Sequence, residues 1–382
     1  KYICGEGGVI DKWFSCGVDG VRLDVADNLS DSALEEIHKA VIRNKKDGLI
    51  MGEVWDNPMR NGRSYISSGR SMHSVMNYPL ADALVRYLKY QDDSKLRYVI
   101  RDTQAEYPND TIHTLMNFTS THDISRIITL LGKKKFDTYH KFHELDDWLK
   151  GKIYEVLWEI GYNNDDIYAL LNGHVEMDYY TYQNMMERLK WKGLSNDIIS
   201  YLRSILSYTP FDKNQVWAKD LPEDIKKDLD YTRNYKLTPE EYQEAIETYK
   251  KYLFFLSAYP GILSFFYGDE AGMEGLNNLA NRRSFPWNHI NSEIFSYCHK
   301  IGMFRKNNDF LKNADYRLID LDPQHVLYER FDDQRKILLS MNNTDSSQLY
   351  IPEEYQDGRK ILTLKKKDNW CNNSYNGVII EK

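Results

Sequence analysis

Three short apolar runs that close on acidic residues constrain this 382-residue chain more than any other feature. The first is Gly-Val-Arg-Leu-Asp at 20–24. The second, Gly-Leu-Ile-Met-Gly at 48–52, leads into Glu53. The third, at 114–119, leads into Thr-His-Asp at 121–123. In a barrel of parallel strands the C-terminal strand ends form one face, and side chains placed there are brought together. Asp24, Glu53 and Asp123 are therefore the candidate catalytic trio. Cleaving a glycosidic bond needs such a set: one carboxylate as nucleophile, one carboxyl as proton donor, and a third to orient the sugar or stabilise charge. The chain holds 57 Asp and Glu, so three unrelated acids are the competing reading. Their shared position at the ends of strand-like runs argues against coincidence.

The neighbouring residues suit the same chemistry. Arg22 and Asp24 are two apart, so on a strand they point to one side, and a guanidinium beside Asp24 would hold it ionised. Trp55 lies just beyond Glu53, and a partly apolar setting near a second carboxylate suits a proton donor. His122 is placed to hydrogen-bond a sugar hydroxyl. Sugar rings have apolar faces and polar rims, which makes Trp55 and Tyr78 candidates for substrate contact; the competing reading for both is core packing. The candidate substrate-binding set is Arg22, His122, Trp55 and Tyr78.

The wider pattern alternates strand and helix. Segments 19–25, 49–53, 72–78, 114–119 and 262–267 read as five short strands. Ser30 or Asp31 caps a helix carrying Leu34, Ile37, Val41 and Ile42. Thr238-Pro-Glu-Glu opens another, with a Thr cap, Pro at the first position and Glu at the third. Such alternation predicts a parallel α/β sheet. Between them, about 133–236 reads as helical, with Leu145, Trp148, Leu149, Ile153, Val156 and Leu157 at helical spacing. Its expected role is either a packed subdomain or a lid beside the site. After about residue 310, segments 317–320, 326–330, 336–341 and 360–364 read as strands of a small β-sandwich.

The chain resembles the α-amylase superfamily of retaining α-glucosidases, and within it the neopullulanase and cyclomaltodextrinase group. The segments that carry the resemblance are Gly-Val-Asp-Gly-Val-Arg-Leu-Asp-Val-Ala-Asp at 17–27, Met-Gly-Glu-Val-Trp at 51–55 and Val-Met-Asn-Tyr-Pro-Leu at 75–80. Asn-Phe-Thr-Ser-Thr-His-Asp at 117–123, Phe-Tyr-Gly-Asp-Glu-Ala-Gly-Met-Glu-Gly at 266–275 and Asn-Arg-Arg-Ser-Phe-Pro-Trp at 281–287 continue it. The resemblance implies Asp24 as nucleophile, Glu53 as acid/base, Asp123 as transition-state stabiliser, and Arg22 and His122 as assistants. It also implies a substrate among starch-derived α-glucans, maltooligosaccharides, cyclodextrins or pullulan, with glycosyl transfer as a second outcome. The family's earlier segment ending in Asn-His, and the domain B that follows it, have no counterpart here. The expected fold is α/β: the C-terminal part, about five strands, of a TIM-type (β/α)8 barrel with the helical insertion, then the small β-sandwich. Residues 1–309 would be the barrel portion and 310–382 the second domain. The alternative function is a catalytically silent barrel portion that at most binds glucan.

A formal net charge of -7 gives no electrostatic case for nucleic acid. No apolar run approaches the ~18 residues of a membrane span. Cys4, Cys16, Cys298 and Cys371 are scattered without zinc spacing; they read as free thiols and point to the cytoplasm. Asp269-Glu270 and Asp27-Asn28 could offer oxygens to calcium, but no calcium-loop spacing appears. No metal and no cofactor is expected, and an α-glucan is the expected partner. Linkage preference and oligomeric state stay open.

Overall fold

The computed structural model describes residues 1–59, 65–66, 69–132, 145–164, 167, 179–205, 234–276, 281–345, 348–366 and 375–382. The chain divides into two compact units. One comprises Lys1–Phe118, Lys250–Ser264 and Cys298–Lys382; the other comprises Thr119–Tyr249 and Phe265–Tyr297.

The first unit contains helix α1 (Val9–Ser15), strand β1 (Gly20–Leu23), α2 (Asp31–Asn44), β2 (Leu49–Gly52), β3 (Ser74–Val75), α3 (Tyr78–Tyr90), α4 (Asp93–Glu106), α5 (Asn109–Ile112) and β4 (Met116–Phe118). Strand β1 pairs parallel with β2, and β2 with β3. A parallel bridge from Met76 to Met116 reaches β4, which pairs parallel with β5 (Ile262–Ser264). Five parallel strands thus follow chain order among the described residues, shorter than the segments read from sequence. The helices form for local reasons. Ser30 caps α2 by accepting from the Ala33 N–H at 3.2 Å, and Leu34, Ala40 and Val41 face inward. Asn77 caps α3 and also donates to Asn117 Oδ1 at 2.8 Å, while Asn117 donates to the Pro260 carbonyl at 2.7 Å. These buried amides tie the ends of β3, β4 and β5, each bond contributing about 1 kcal/mol net. Gly261, at φ +105, turns the chain into β5; a Cβ there would meet the Leu115 carbonyl oxygen at 2.6 Å.

The second unit holds α6 (Ile127–Gly132), α7 (Asp147–Glu159), α8 (Tyr179–Trp191) and α9 (Asn196–Ile205). Leu145, Leu149, Ile153, Val156 and Leu157 pack with Met185, Met186, Leu189 and Leu202 in a core of their own. Trp148 departs from its expected place in that stripe and is 58% exposed. Helix α10 (Pro239–Ala258) begins in this unit and ends in the first, as does α11 (Ser292–Lys306). Thr238 and Glu241 form the reciprocal cap anticipated at the start of α10, at 3.0 and 3.2 Å.

The C-terminal region of the first unit is one antiparallel sheet in the order β6-β7-β8-β10-β9: β6 (Asp315–Leu321), β7 (His325–Phe331), β8 (Lys336–Asn342), β9 (Arg359–Lys365) and β10 (Tyr375–Glu381). The expected sandwich is a single sheet among the described residues, because other elements supply the covering layers. Tyr328 of β7 donates to the Phe255 carbonyl of α10 at 2.5 Å, and Gly377 of β10 lies against the Phe254 ring. Elsewhere Leu349, Ile351 and Tyr355 pack with Leu338, Val378 and Ile380. Two arginines, Arg330 buried and Arg305 half-buried, close the C-terminal end of α10. Arg305 donates to the carbonyls of Leu256, Ser257, Tyr259 and Gly261, and Arg330 to that of Ala258 at 2.6 Å. They satisfy carbonyls that the helix leaves open and oppose the negative end of its dipole.

Candidate active site

The register of β1 and β2 sets Leu23 opposite Gly52, so the next residues, Asp24 and Glu53, leave adjacent strands at one level. The ladder continues one step further: the Glu53 N–H donates to the Leu23 carbonyl at 2.9 Å, and the Ala26 N–H to the Glu53 carbonyl at 3.0 Å. Arg22 joins the two acids. One guanidinium nitrogen bonds Asp24 Oδ1, and the other lies 2.8 Å from Glu53 Oε2. Burial alone would lower the Arg22 pKa. The hydrogen bond to Asp24 and the charges of Glu53 and Asp24 outweigh it and hold the guanidinium above its ordinary range. The acids differ in setting: the Glu53 side chain is 7% exposed and that of Asp24 73%.

The buried acid is held from several directions. Its Oε2 also accepts from the Val25 N–H at 3.1 Å, and its Oε1 from Trp55 Nε1 at 3.0 Å. Val25 reaches its position in the left-handed region, at φ 45 and ψ 48. That conformation costs a β-branched residue about 1–3 kcal/mol. Sequence reasoning passed over this residue, because a strained valine leaves no signal in composition or spacing. Trp55 stacks on Tyr78 with centroids 4.4 Å apart and planes 12° from parallel, and Tyr78 meets Phe118 edge-on at 4.8 Å. Arg22, Asp24, Glu53, Trp55 and Tyr78 therefore form one cluster in the first unit.

His122 and Asp123 belong to the second unit. His122 Nε2 lies 3.0 Å from Asp123 Oδ2, and Arg282 Nη2 lies 3.1 Å from Asp123 Oδ1. Arg282 Nε also donates to the His122 carbonyl at 3.0 Å. Asn281 Nδ2 donates to the carbonyls of Thr121 and Ile124 at 3.2 and 2.6 Å. Residues 281–282 thus hold the turn that carries both candidates. The Asn-Arg-Arg segment was visible in the sequence, but nothing local in it reveals a turn some 160 residues away.

Of the possible oxygen donors for a cation, Asp269 and Glu270 are engaged by protein groups. Asp269 is fully buried; it pairs with Arg126 at 3.0 Å and accepts from Thr119 Oγ1 at 2.6 Å. Burial pushes its carboxyl up to about 6, against the opposing pull of Arg126 and its hydrogen-bond donors. Glu270 accepts from the Gly268 N–H at 2.7 Å. Among the described residues no three His, Cys, Asp or Glu side chains cluster as a metal site would require. Cys4 and Cys16 are free thiols and Cys298 is buried, whereas Cys371 lies outside the described residues. No helix among the described residues is long and apolar enough to cross a membrane.

Known proteins are similar to the part of the chain that holds these strand ends. The family model for the alpha-amylase catalytic domain matches residues 5–154, the stretch that carries Arg22, Asp24, Glu53, Trp55, Tyr78, His122 and Asp123. Over that stretch the chain is similar to the alpha-amylase catalytic domain. It is similar to a cyclomaltodextrinase of Geobacillus thermopakistaniensis, at 34% identity over 117 residues, covering 30% of this chain and 19% of that protein. It is also similar to neopullulanase 2 of Thermoactinomyces vulgaris, at 30% identity over 122 residues, covering 31% and 20%. The matches thus span about a fifth of these relatives. A solved Anoxybacillus alpha-amylase matches 97% of this chain and 60% of its own, with a TM-score of 0.58 and 16% identity. That likeness concerns the fold: a TIM-barrel-like mixed α/β architecture with a C-terminal antiparallel sheet.

Proposed function

We propose that this chain carries the catalytic machinery of a retaining hydrolase of α-glucosidic bonds, acting on starch-derived α-glucans, maltooligosaccharides, cyclodextrins or pullulan. One observation carries the reading: a single arginine holds two carboxyl groups at the ends of adjacent parallel strands, one open to water and one buried. The exposed Asp24 is assigned to attack the anomeric carbon, with its carboxyl group oriented by its ion pair with Arg22, as a nucleophile requires. The buried Glu53 is fixed in place, as a proton donor and later acceptor requires. Asp123 is assigned to stabilise the oxocarbenium-like transition state, with His122 assisting at a sugar hydroxyl. Strands β1 to β5 are read as the fourth to eighth of a (β/α)8 barrel, and the insertion at about 133–236 as a lid or glucan platform. No cofactor is needed for this chemistry. The free thiols fit a cytoplasmic protein.

A second reading, glucan binding without turnover, draws on the 73% exposure of Asp24, since electrostatic catalysis gains its strength where water is excluded. One experiment separates the two. Purified protein is incubated with maltoheptaose, β-cyclodextrin and pullulan, and proton NMR follows the newly formed anomeric signals. Early release of the α-anomer supports retention. Early β-anomer indicates inversion and removes Asp24 as nucleophile. Retained glucan without cleavage favours the silent reading.

A further inference from the structure

We propose that Trp55, braced by Tyr78, is a positioning residue that makes Oε1 of Glu53 the atom carrying the transferable proton. The inference rests on the hydrolytic reading above and revises the expectation that these two aromatics contact sugar.

The Glu53 carboxyl group offers lone pairs on two oxygens. Each oxygen has room for about two hydrogen-bond partners. Oε2 already takes two, the Arg22 guanidinium at 2.8 Å and the Val25 N–H at 3.1 Å. Among the described residues Oε1 takes one, the Trp55 indole N–H at 3.0 Å. The remaining position for a proton is on Oε1. An indole N–H can only donate, so Trp55 cannot compete for that proton or carry it away. What Trp55 does is fix the direction in which the open lone pair of Oε1 points. In the first step the O–H bond at Oε1 would break as the O–H bond of the departing sugar forms. The resulting carboxylate keeps the indole bond, and in the second step Oε1 takes a proton back from the attacking water.

The indole is itself immobilised. One face lies on Tyr78, at 4.4 Å and 12°. Tyr78 is 7% exposed, at the start of α3, and sits edge-on to Phe118, which is wholly buried on β4. A sugar platform needs an open face and a free polar edge. Here one face and the only donor of Trp55 are already engaged, and the Tyr78 ring is covered on the side that meets Trp55.

The test pairs a spectroscopic readout with kinetics. In protein labelled with 15N at the tryptophan indoles, the Trp55 cross-peak is assigned by its loss in Trp55→Phe. It should move in Glu53→Gln. A Trp55 cross-peak that ignores Glu53→Gln overturns the proposal whatever the activity, and if Trp55→Phe does not fold the peak is assigned by its loss in Trp55→Tyr instead. Trp55→Phe keeps a ring on Tyr78 but removes the N–H. On a maltooligosaccharide with a poor leaving group it should lower kcat about ten- to a hundredfold, the effect of one bond to a charged group, with KM within about twofold. The alkaline limb of the kcat profile should move to higher pH, because the lost donor favoured the carboxylate. Tyr78→Leu should act in the same direction and Tyr78→Phe should restore the parent behaviour. A rise in KM with kcat and pH profile unchanged would restore the sugar-platform role and overturn the proposal. No hydrolysis by the parent, together with a cross-peak that responds to Glu53, would count against the hydrolytic reading and support the hold of Trp55 on Glu53.

Discussion

Arg22 and Arg330 both lie in the first unit, yet they are used in opposite ways. Arg22 is partly exposed and bonds two carboxyl groups, Asp24 and Glu53. Arg330 is wholly buried and donates to the carbonyls of Ala258, Leu311, Ala314 and Asp315. Burial pushes Arg330 down to about 10, and its polar neighbours only partly offset this. Hydrogen bonding and the adjacent acids hold Arg22 up despite burial. A guanidinium placed on carboxylates organises charge that a reaction can use. One placed on carbonyls closes a helix end and joins it to a sheet. If this division is right, damage at the two arginine sites should separate activity from stability.

The largest effect is expected at Asp24. Asp24→Asn keeps the shape and removes the nucleophile, so hydrolysis should fall by about 10⁴-fold. Its ion pair is largely exposed, so unfolding free energy should change by no more than about 1 kcal/mol. Glu53→Gln should retain more turnover on substrates with activated leaving groups, which need no proton in the first step. Initial rates on an aryl α-maltoside and urea unfolding check both statements. Equal residual rates for the two variants would break the assignment of roles.

Arg330→Met should do the reverse. Buried carbonyls of α10, the 311–314 turn and β6 lose their donor together, and about 3–5 kcal/mol of stability should go with it. Urea unfolding of the variant should show the loss, while the kcat of protein that remains folded stays within about threefold. A variant as stable as the parent would mean that water replaces the guanidinium at those carbonyls.

The same contrast explains what is legible in the sequence. The strand positions and the acids that follow them are legible because apolar runs and terminal charges are local patterns. Helix starts at Ser30 and Thr238 are legible for the same reason. Trp148 is misplaced in the buried stripe because periodicity does not say how wide the covered face is. Strand β10 escapes the sequence reading although Gly-Val-Ile-Ile is strand-like, since it follows an Asn-rich stretch that reads as a loop. The holds of Arg282 on Asp123 and of Arg330 on α10 are invisible, because they join segments far apart in the chain. Val25 is invisible for another reason: its backbone conformation runs against its side chain.

Val25 offers a smaller effect with opposite signs in stability and function. Val25→Gly relieves the left-handed strain and should stabilise the fold by about 1 kcal/mol. The freed backbone no longer fixes the N–H that meets Glu53 Oε2, so kcat should fall severalfold as the melting temperature rises. Thermal melts and steady-state rates on one preparation test this. A stabilised variant with unchanged kcat would show that the strain has no part in holding Glu53.

The smallest effect concerns pH and lies beside the strands without touching the acids. His73 accepts the Ile50 N–H through Nδ1 at 3.0 Å, and its ring lies 5.1 Å from that of His38. Burial first, and the neighbouring His38 second, lower its pKa from the ordinary 6.5. The folded state therefore binds fewer protons at this site than the unfolded state between the depressed value and 6.5. Stability from the neutral ring is fully present above pH 6.5 and is lost as pH falls through the folded value. Protonation at Nδ1 would also remove the acceptor for the first residue past Leu49 in β2, so the loss should be felt in the strand that delivers Glu53. His73→Asn retains an acceptor and removes the titration. Its melting temperature should fall less steeply than the parent's as pH is lowered below 6.5. Parallel curves for the two proteins would mean that acid sensitivity arises elsewhere, with His113, whose pKa burial also lowers, as the next residue to replace.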